Sequence, residues 1–193
     1  MYTQEEILNI MKERDVLLEG HFRLTSGRHA AKYLQCARLL QYPDVAEPLC
    51  AQLASKFEDD CPTVVVGPAI GAIVVSYEVA RALGVKSLFT ERENGEMTLR
   101  RGFSISPQDR VLVVEDVITT GGSTKEVIDT VRKLGATVIG VGVIADRSAG
   151  KVDLGVPIKA LISIEIQSYL PEECPLCAEG IPAIKPGSRQ EKA

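Results

Sequence analysis

No apolar run in this 193-residue chain approaches the roughly 18 residues needed to cross a bilayer, so no membrane span is expected. The opening Met1-Tyr-Thr-Gln-Glu-Glu6 lacks a basic stretch followed by an apolar core, and no secretory leader is expected either. Positive charge is not in surplus: 22 Lys and Arg stand against 26 Asp and Glu, a formal net charge of −4. That balance gives no support to a nucleic-acid or membrane-surface partner. Internal repeats and low-complexity tracts are missing, as is tryptophan. With 45% hydrophobic and 25% charged residues the composition suits one compact domain, with at most a small addition. The cysteines number five, an odd count that argues against a disulfide framework and fits the cytoplasm as the expected compartment.

Two of those cysteines, in Cys174-Pro-Leu-Cys177, have the spacing of half a zinc site. His21 and His29 lie far away in sequence, so the other half is not evident. Two readings stay open: a structural zinc completed by a second subunit or a distant cysteine, and reduced thiols in a turn.

What is present alternates between two periods. Glu5 to Leu18 carries apolar residues at helical spacing, as does Pro43 to Phe57 with Pro43 in the first turn. Gly20 to His29 mixes polar and turn residues, and Lys32–Cys36 reads as a short strand. Thr63–Val66 is a buried strand, followed by a helix from Ala72 that Gly84 stops, and by a strand over Lys86–Thr90. Val111–Glu115, Thr137–Ala145 and Ala160–Ile164 supply three more strands. Strands alternating with helices predict an α/β fold with a mostly parallel sheet. Its ligands belong beyond the carboxyl ends of the strands, near Gly67, Thr90, Glu115 and Asp146. From Pro171 onward the chain reads as an irregular tail.

The most informative stretch is residues 111–124, Val-Leu-Val-Val-Glu-Asp-Val-Ile-Thr-Thr-Gly-Gly-Ser-Thr. A buried strand ends in two carboxylates, Glu115 and Asp116. A loop of hydroxyl residues and glycines follows, and then a helix opens with Ser123 or Thr124 as its expected cap. Such a unit aims backbone N–H groups and the positive end of a helix dipole at one point, and glycines let the backbone approach an anion. No Gly-Lys-Ser/Thr follows, and Gly-x-Gly-x-x-Gly is absent, so neither nucleotide-binding loop applies. Two acids beside a phosphate site would repel a polyphosphate unless they faced hydroxyls or a metal. A ribose 5-phosphate satisfies both ends, with its phosphate in the loop and its hydroxyls donating to Glu115 and Asp116.

Three further segments belong with it. Gly67-Pro-Ala-Ile-Gly71 follows a strand, opens a helix and offers amides suited to a diphosphate. Thr90 to Phe103 is a polar hairpin centred on Asn94-Gly95. As a flap it would exclude water, and Arg92, Arg100 and Arg101 would neutralise departing charge. Asp146-Arg147-Ser148 ends the strand beside the phosphate loop, where Arg147 is placed either to fork onto a carboxylate or carbonyl or to pair with Asp146.

The 115–123 run resembles the phosphoribosyl-diphosphate motif of type I phosphoribosyltransferases. Over nearly its whole length the chain is similar to the orotate phosphoribosyltransferase family. Gly20–Arg28 with Tyr33 resembles the family's hood over the base, Gly67–Gly71 its diphosphate loop, and Asp146-Arg147-Ser148 its base-recognition position. The resemblance implies the type I phosphoribosyltransferase fold, a mostly parallel central sheet flanked by helices with a small N-terminal hood. Residues 1–40 would form the helix and hood, 41–170 the core, and 171–193 a Cys- and Pro-containing tail. Glu115, Asp116, Val117, Ile118, Thr119, Thr120, Gly121, Gly122 and Ser123, with Ile70 and Gly71, would hold phosphoribosyl diphosphate. Thr119 and Arg147 would contact orotate, and Asp116, Glu115 and Arg92 would serve catalysis. Also implied are a homodimer whose flap reaches the neighbouring site, and Mg²⁺ held through the diphosphate and ribose rather than directly by the protein.

Other base specificities, a purine among them, and a non-catalytic sensor of phosphoribosyl diphosphate are the rival readings. The chain departs from the family pattern in its flap, where Glu91–Arg101 has neither the two lysines nor the histidine of many members. Thr25 likewise stands where many carry a lysine.

Overall fold

Thr3 opens the first helix with a reciprocal cap. Its hydroxyl accepts the Glu6 amide at 3.2 Å, and the Glu6 carboxylate accepts the Thr3 amide at 2.7 Å. The structure is a computed structural model describing residues 1–24 and 26–186; Thr25 and the end of the charged tail, 187–193, lie outside the described residues. Helix α1 (Gln4–Glu13) stops well short of the Leu18 that its apolar spacing suggests. Asp15 takes a left-handed φ of 51°, and the Val16 amide turns back to the Met11 carbonyl at 2.8 Å. Val16 and Leu17 continue the periodicity by coincidence: Val16 is buried beyond the turn, and Leu17 starts a strand.

That strand, β1 (Leu17–Arg23), pairs antiparallel with β2 (His29–Leu34). Residues 20–24 and 26–28, which read as turn-like, therefore belong to one strand of the hairpin and its turn. The chain then runs through α2 (Ala37–Leu40), α3 (Pro43–Ser55), β3 (Val64–Pro68) and α4 (Ile73–Leu83). The hairpin expected around Asn94-Gly95 joins β4 (Lys86–Glu93) to β5 (Glu96–Leu99), with positive φ at both turn residues. Next come β6 (Arg110–Ile118), α5 (Gly122–Lys133), β7 (Thr137–Asp146) and β8 (Ile158–Ser163).

The central sheet has the order β5-β4-β3-β6-β7-β8, parallel throughout except for the edge strand β5. Both faces are covered, so its strands are apolar at successive positions rather than alternating. On β6, Leu112 and Val114 enter the core shared with α1, α3 and α4, while Val111 and Val113 enter the core beneath α5. Fully buried Phe57 packs against β7 where Gly140 and Gly142 leave room. A Cβ on Gly142 would stand 3.1 Å from its ring and 3.4 Å from Leu53. Gly142→Ala is expected to cost about 1–3 kcal/mol through overpacking, read as a lower urea midpoint at unchanged slope.

The stretch from Ser168 on, including the part from Pro171 that reads as irregular, is tied to the hood. Strand β9 (Ser168–Tyr169) adds to β2, the short helix α6 (Pro175–Ala178) follows, and Ile184 exchanges backbone hydrogen bonds with His21 and Arg23. Among the described residues no helix is long and apolar enough to cross a membrane.

Candidate active site

Parallel pairing brings the ends of β3, β4, β6 and β7 to one edge of the sheet, and two cavities open there. The first, about 390 Å³, is lined by Pro68–Gly71, Glu91, Arg92, Met97, Glu115 and Ser123. The second, about 620 Å³, is lined by Asp116, Val117, Thr119, Thr120 and Arg147, and across from them by Arg23, Arg28, Tyr33 and Ser168 of the hood. The acid pair sits at the boundary. Glu115 faces one cavity and Asp116 the other, and an ideal Cβ on Gly71 would come 3.0 Å from an Asp116 carboxylate oxygen. A side chain at 71 would press on that carboxylate, and glycine avoids it.

Helix α5 begins two to three residues earlier than a Ser123 or Thr124 cap would place it. Its cap is Gly121, at φ 75° and without a side-chain bond. A Cβ there would sit 2.8 Å from Val152, so both the left-handed turn and the packing require glycine. Thr124 is buried instead and its hydroxyl bonds Glu115. Ser123 is left exposed to the first cavity, and Thr119 and Thr120 to the second. Ile118 differs from its neighbours in the motif: its side chain is in the core, and only its backbone meets the site, where its carbonyl accepts the Arg147 amide at 2.9 Å. Gly122 is exposed in the first turn of α5.

Burial, then the charge of Asp116, pushes the Glu115 carboxyl well above the usual carboxylate range; burial also raises Asp116. A raised carboxyl contributes its full stability only below the ordinary carboxylate range, and loses it as pH rises through the higher folded value. Glu115→Gln is therefore expected to raise Tm at about pH 8 and to lose that advantage at about pH 4, in paired thermal melts.

Arg147 does not pair with Asp146. The Asp146 carboxylate accepts the Ser148 and Gly150 amides at 2.7 and 3.1 Å, which fixes the turn. Arg147 is half-buried, and its Nε is shielded from solvent with no hydrogen-bond partner. Facing it is Tyr33, whose phenol is pushed up by burial and by Asp116. The flap arginines are placed differently. Arg92 reaches the first cavity but holds Glu126 of α5 at 2.7 Å; Arg100 and Arg101 line neither cavity, Arg100 pairing with Glu93 and Arg101 with Glu91 in the wall of the first. Ile70, 80% exposed, projects at the rim beside Gly71, and the Ala69–Ile70 peptide is cis.

Arg23, Arg28 and Ser168 are wall residues that the sequence did not single out. Arg28 binds Ser168 through Oγ at 2.9 Å and the carbonyl at 2.6 Å. In the sequence it stands out only as the end of the 20–28 hood segment, and its partner Ser168 is 140 residues away.

The family model for the phosphoribosyl transferase domain matches residues 41–173, more than half of the chain. The orotate phosphoribosyltransferase of Pelotomaculum thermopropionicum is 63% identical over 97% of this chain and 99% of its own length. That of Caldicellulosiruptor bescii is 55% identical over 98% and 100%. Among solved structures, orotate phosphoribosyltransferase from Aeropyrum pernix superposes with a TM-score of 0.67 at 26% identity, covering 82% of this chain and 93% of that one. A phosphoribosyltransferase from Corynebacterium diphtheriae gives 0.70 at 25% identity, with 84% and 96% covered. A strand that ends in paired carboxylates, a hydroxyl- and glycine-rich loop at a helix start, and full-length likeness to these proteins place the chain in the phosphoribosyltransferase family, among the orotate phosphoribosyltransferases.

Proposed function

We propose that the chain transfers the 5-phosphoribosyl group of phosphoribosyl diphosphate to orotate, giving orotidine 5′-phosphate and diphosphate in UMP synthesis. The bond from C1 of the ribose to the diphosphate oxygen breaks, with the electron pair leaving on diphosphate. A bond from C1 to the orotate ring nitrogen forms, and the proton of that nitrogen is released. The observation that carries this reading is the buried, unpartnered Arg147 Nε in the wall of the cavity it shares with Asp116, Thr119 and Thr120. A planar acid bearing a carboxylate is what such a donor would fork onto.

The other roles follow from position. The amides and hydroxyls of 119–123 would hold the 5-phosphate, and Asp116 with Glu115 the ribose hydroxyls. Ile70 and Gly71 would line the diphosphate, and Arg92 would exchange Glu126 for it. No covalent nucleophile is needed; positioning and stabilisation of departing charge suffice. Mg²⁺ takes oxygen ligands and is commonly bound by one or two carboxylates plus substrate phosphates. The Glu115–Asp116 pair at the junction of the cavities fits that donor set, reaching the ion through ribose hydroxyls or water, and the ion would supply neutralisation of the diphosphate charge.

A homodimer in the cytoplasm completes the proposal. The exposed Ile70, just before α4, with Val74 and Tyr77 in its first turns, support a partner surface beside the first cavity. Light scattering at twice the chain mass is the expected result.

Incubating the protein with orotate, phosphoribosyl diphosphate and Mg²⁺ is expected to deplete orotate absorbance, with adenine and hypoxanthine inert in the same assay. No turnover with any base, alongside retained donor binding, would favour a sensor instead.

A further inference from the structure

The two cysteines whose other half was not evident in the sequence have it in the fold. The β1–β2 hairpin brings His21 and His29 together, and the C-terminal segment lays Cys174 and Cys177 against them. The ligating atoms of all four lie within 4.8 Å of one another. His21 Nε2 is 2.8 Å from His29 Nδ1, 3.4 Å from Cys174 Sγ and 3.7 Å from Cys177 Sγ, and His29 Nδ1 is 3.2 Å from Cys177 Sγ. Tetrahedral zinc with bonds of about 2.0–2.1 Å to nitrogen and about 2.3 Å to sulfur needs edges of about 3.3–3.8 Å between its ligands. These four spacings lie within about half an ångström of that, slightly contracted between the nitrogens, and the widest separation in the group, up to 4.8 Å, would close by about 1 Å on binding.

We propose that His21, His29, Cys174 and Cys177 form a structural site for a borderline-soft divalent cation, zinc foremost. Three features beyond proximity carry this. His21 Nδ1–H donates to the Ile181 carbonyl at 2.6 Å, which leaves the Nε2 lone pair pointing into the cluster. This is the outer hydrogen bond that orients a metal-bound imidazole. His21, His29 and Cys174 are each less than 8% exposed, so two imidazoles and a thiol are withdrawn from water at one point. Finally, beyond backbone bonds at Ile184 and the Arg28–Ser168 contacts, little apolar packing secures it. Strand β9 pairs with β2 through only two residues, and Leu170, Ile181 and Ile184 of the same segment are 42–59% exposed. A small layer with so thin an apolar core is the setting in which a metal supplies the missing stability.

Binding would release the two thiol protons to solvent, and two thiolates with two neutral imidazoles would leave the zinc site uncharged. The cation would clamp the segment 168–184 onto the hood. Ser168 and Pro186, in and just beyond that segment, line the second cavity together with Tyr33 and Arg28. The site would therefore act on the base pocket by positioning its roof.

The test is metal content of protein purified without a His tag under reducing conditions. One zinc per chain is expected. His29→Asn and the double variant Cys174→Ser/Cys177→Ser are expected to lose it, while Cys61→Ser, an exposed thiol elsewhere, keeps it. Should the variants fail to fold, cobalt titrated into chelator-stripped wild-type protein provides a second readout. Intense visible bands and a thiolate charge-transfer band, saturating at one cobalt per chain, are expected. Stripped protein should also be cut by a glutamyl endopeptidase at least tenfold faster after Glu179, inside the clamped segment, with protection restored by zinc. Less than a tenth of an equivalent of zinc together with no tetrahedral cobalt spectrum would overturn the site, as would a Cys174–Cys177 disulfide in freshly isolated protein. Zinc retained at full occupancy in His29→Asn would overturn the assignment of the histidines.

Discussion

Arg147→Ala is expected to lower kcat/KM for orotate by between about 30-fold and about 5,000-fold, with donor affinity changed by less than about threefold. Truncating one partner of a buried, hydrogen-bonded charge pair costs about 2–5 kcal/mol, and each 1.4 kcal/mol or so is a factor of about ten. The guanidinium qualifies because burial lowers its pKa, only partly offset by Tyr33 and Cys36, and because its Nε has no protein partner. Arg147→Lys keeps the charge but loses the fork, so an intermediate loss is expected. Steady-state kinetics with each substrate varied separately distinguishes these outcomes. An equal loss for orotate and for the donor would mean that Arg147 acts on the fold rather than on the base, because its amide also holds β7 to the Ile118 carbonyl.

Asp116→Asn carries the second large effect, on the other substrate. A hydrogen bond to a charged acceptor contributes about 1.5–3 kcal/mol, so weakening one raises the KM for phosphoribosyl diphosphate by about 10- to 150-fold. Glu115→Gln should act in the same direction, and the two losses should not add, since both acids address one sugar and share one buried environment. The expected combination is a stabler, poorer enzyme: Glu115→Gln melts higher at neutral pH while losing turnover. A binding titration showing unchanged donor affinity in Asp116→Asn would remove the ribose from this pair.

The core of the site was legible because it is local. A buried strand, two acids, a loop of small residues and a helix occupy consecutive positions at 111–124, and parallel topology leaves one place for such a unit to point. The same holds for Gly67–Gly71 and for the flap turn at Asn94-Gly95. Legibility failed where contacts are long-range or where two signals coincide. Val16 and Leu17 extend a helical period past the left-handed Asp15 and so disguise the hairpin strand that follows. Ser123 and Thr124 both have cap chemistry, yet the cap falls on Gly121 because Val152 leaves room for nothing larger. Arg28 meets Ser168 across 140 positions, and His29 meets Cys177 across 148, separations that no local pattern encodes.

The flap's cations are already spoken for. Arg92 grips Glu126, Arg101 clasps Glu91 through two parallel bonds of 2.7 and 2.8 Å, and Arg100 leans on Glu93. An arriving anion therefore meets no bare positive lure; it has to win Arg92 away from a carboxylate. A monoanion gains little from such a swap, whereas a densely charged one replaces one negative oxygen pair with several. In the proposed role the hairpin would thus act as a threshold, indifferent to the chloride and monocarboxylates of its surroundings and responsive to the group that must depart.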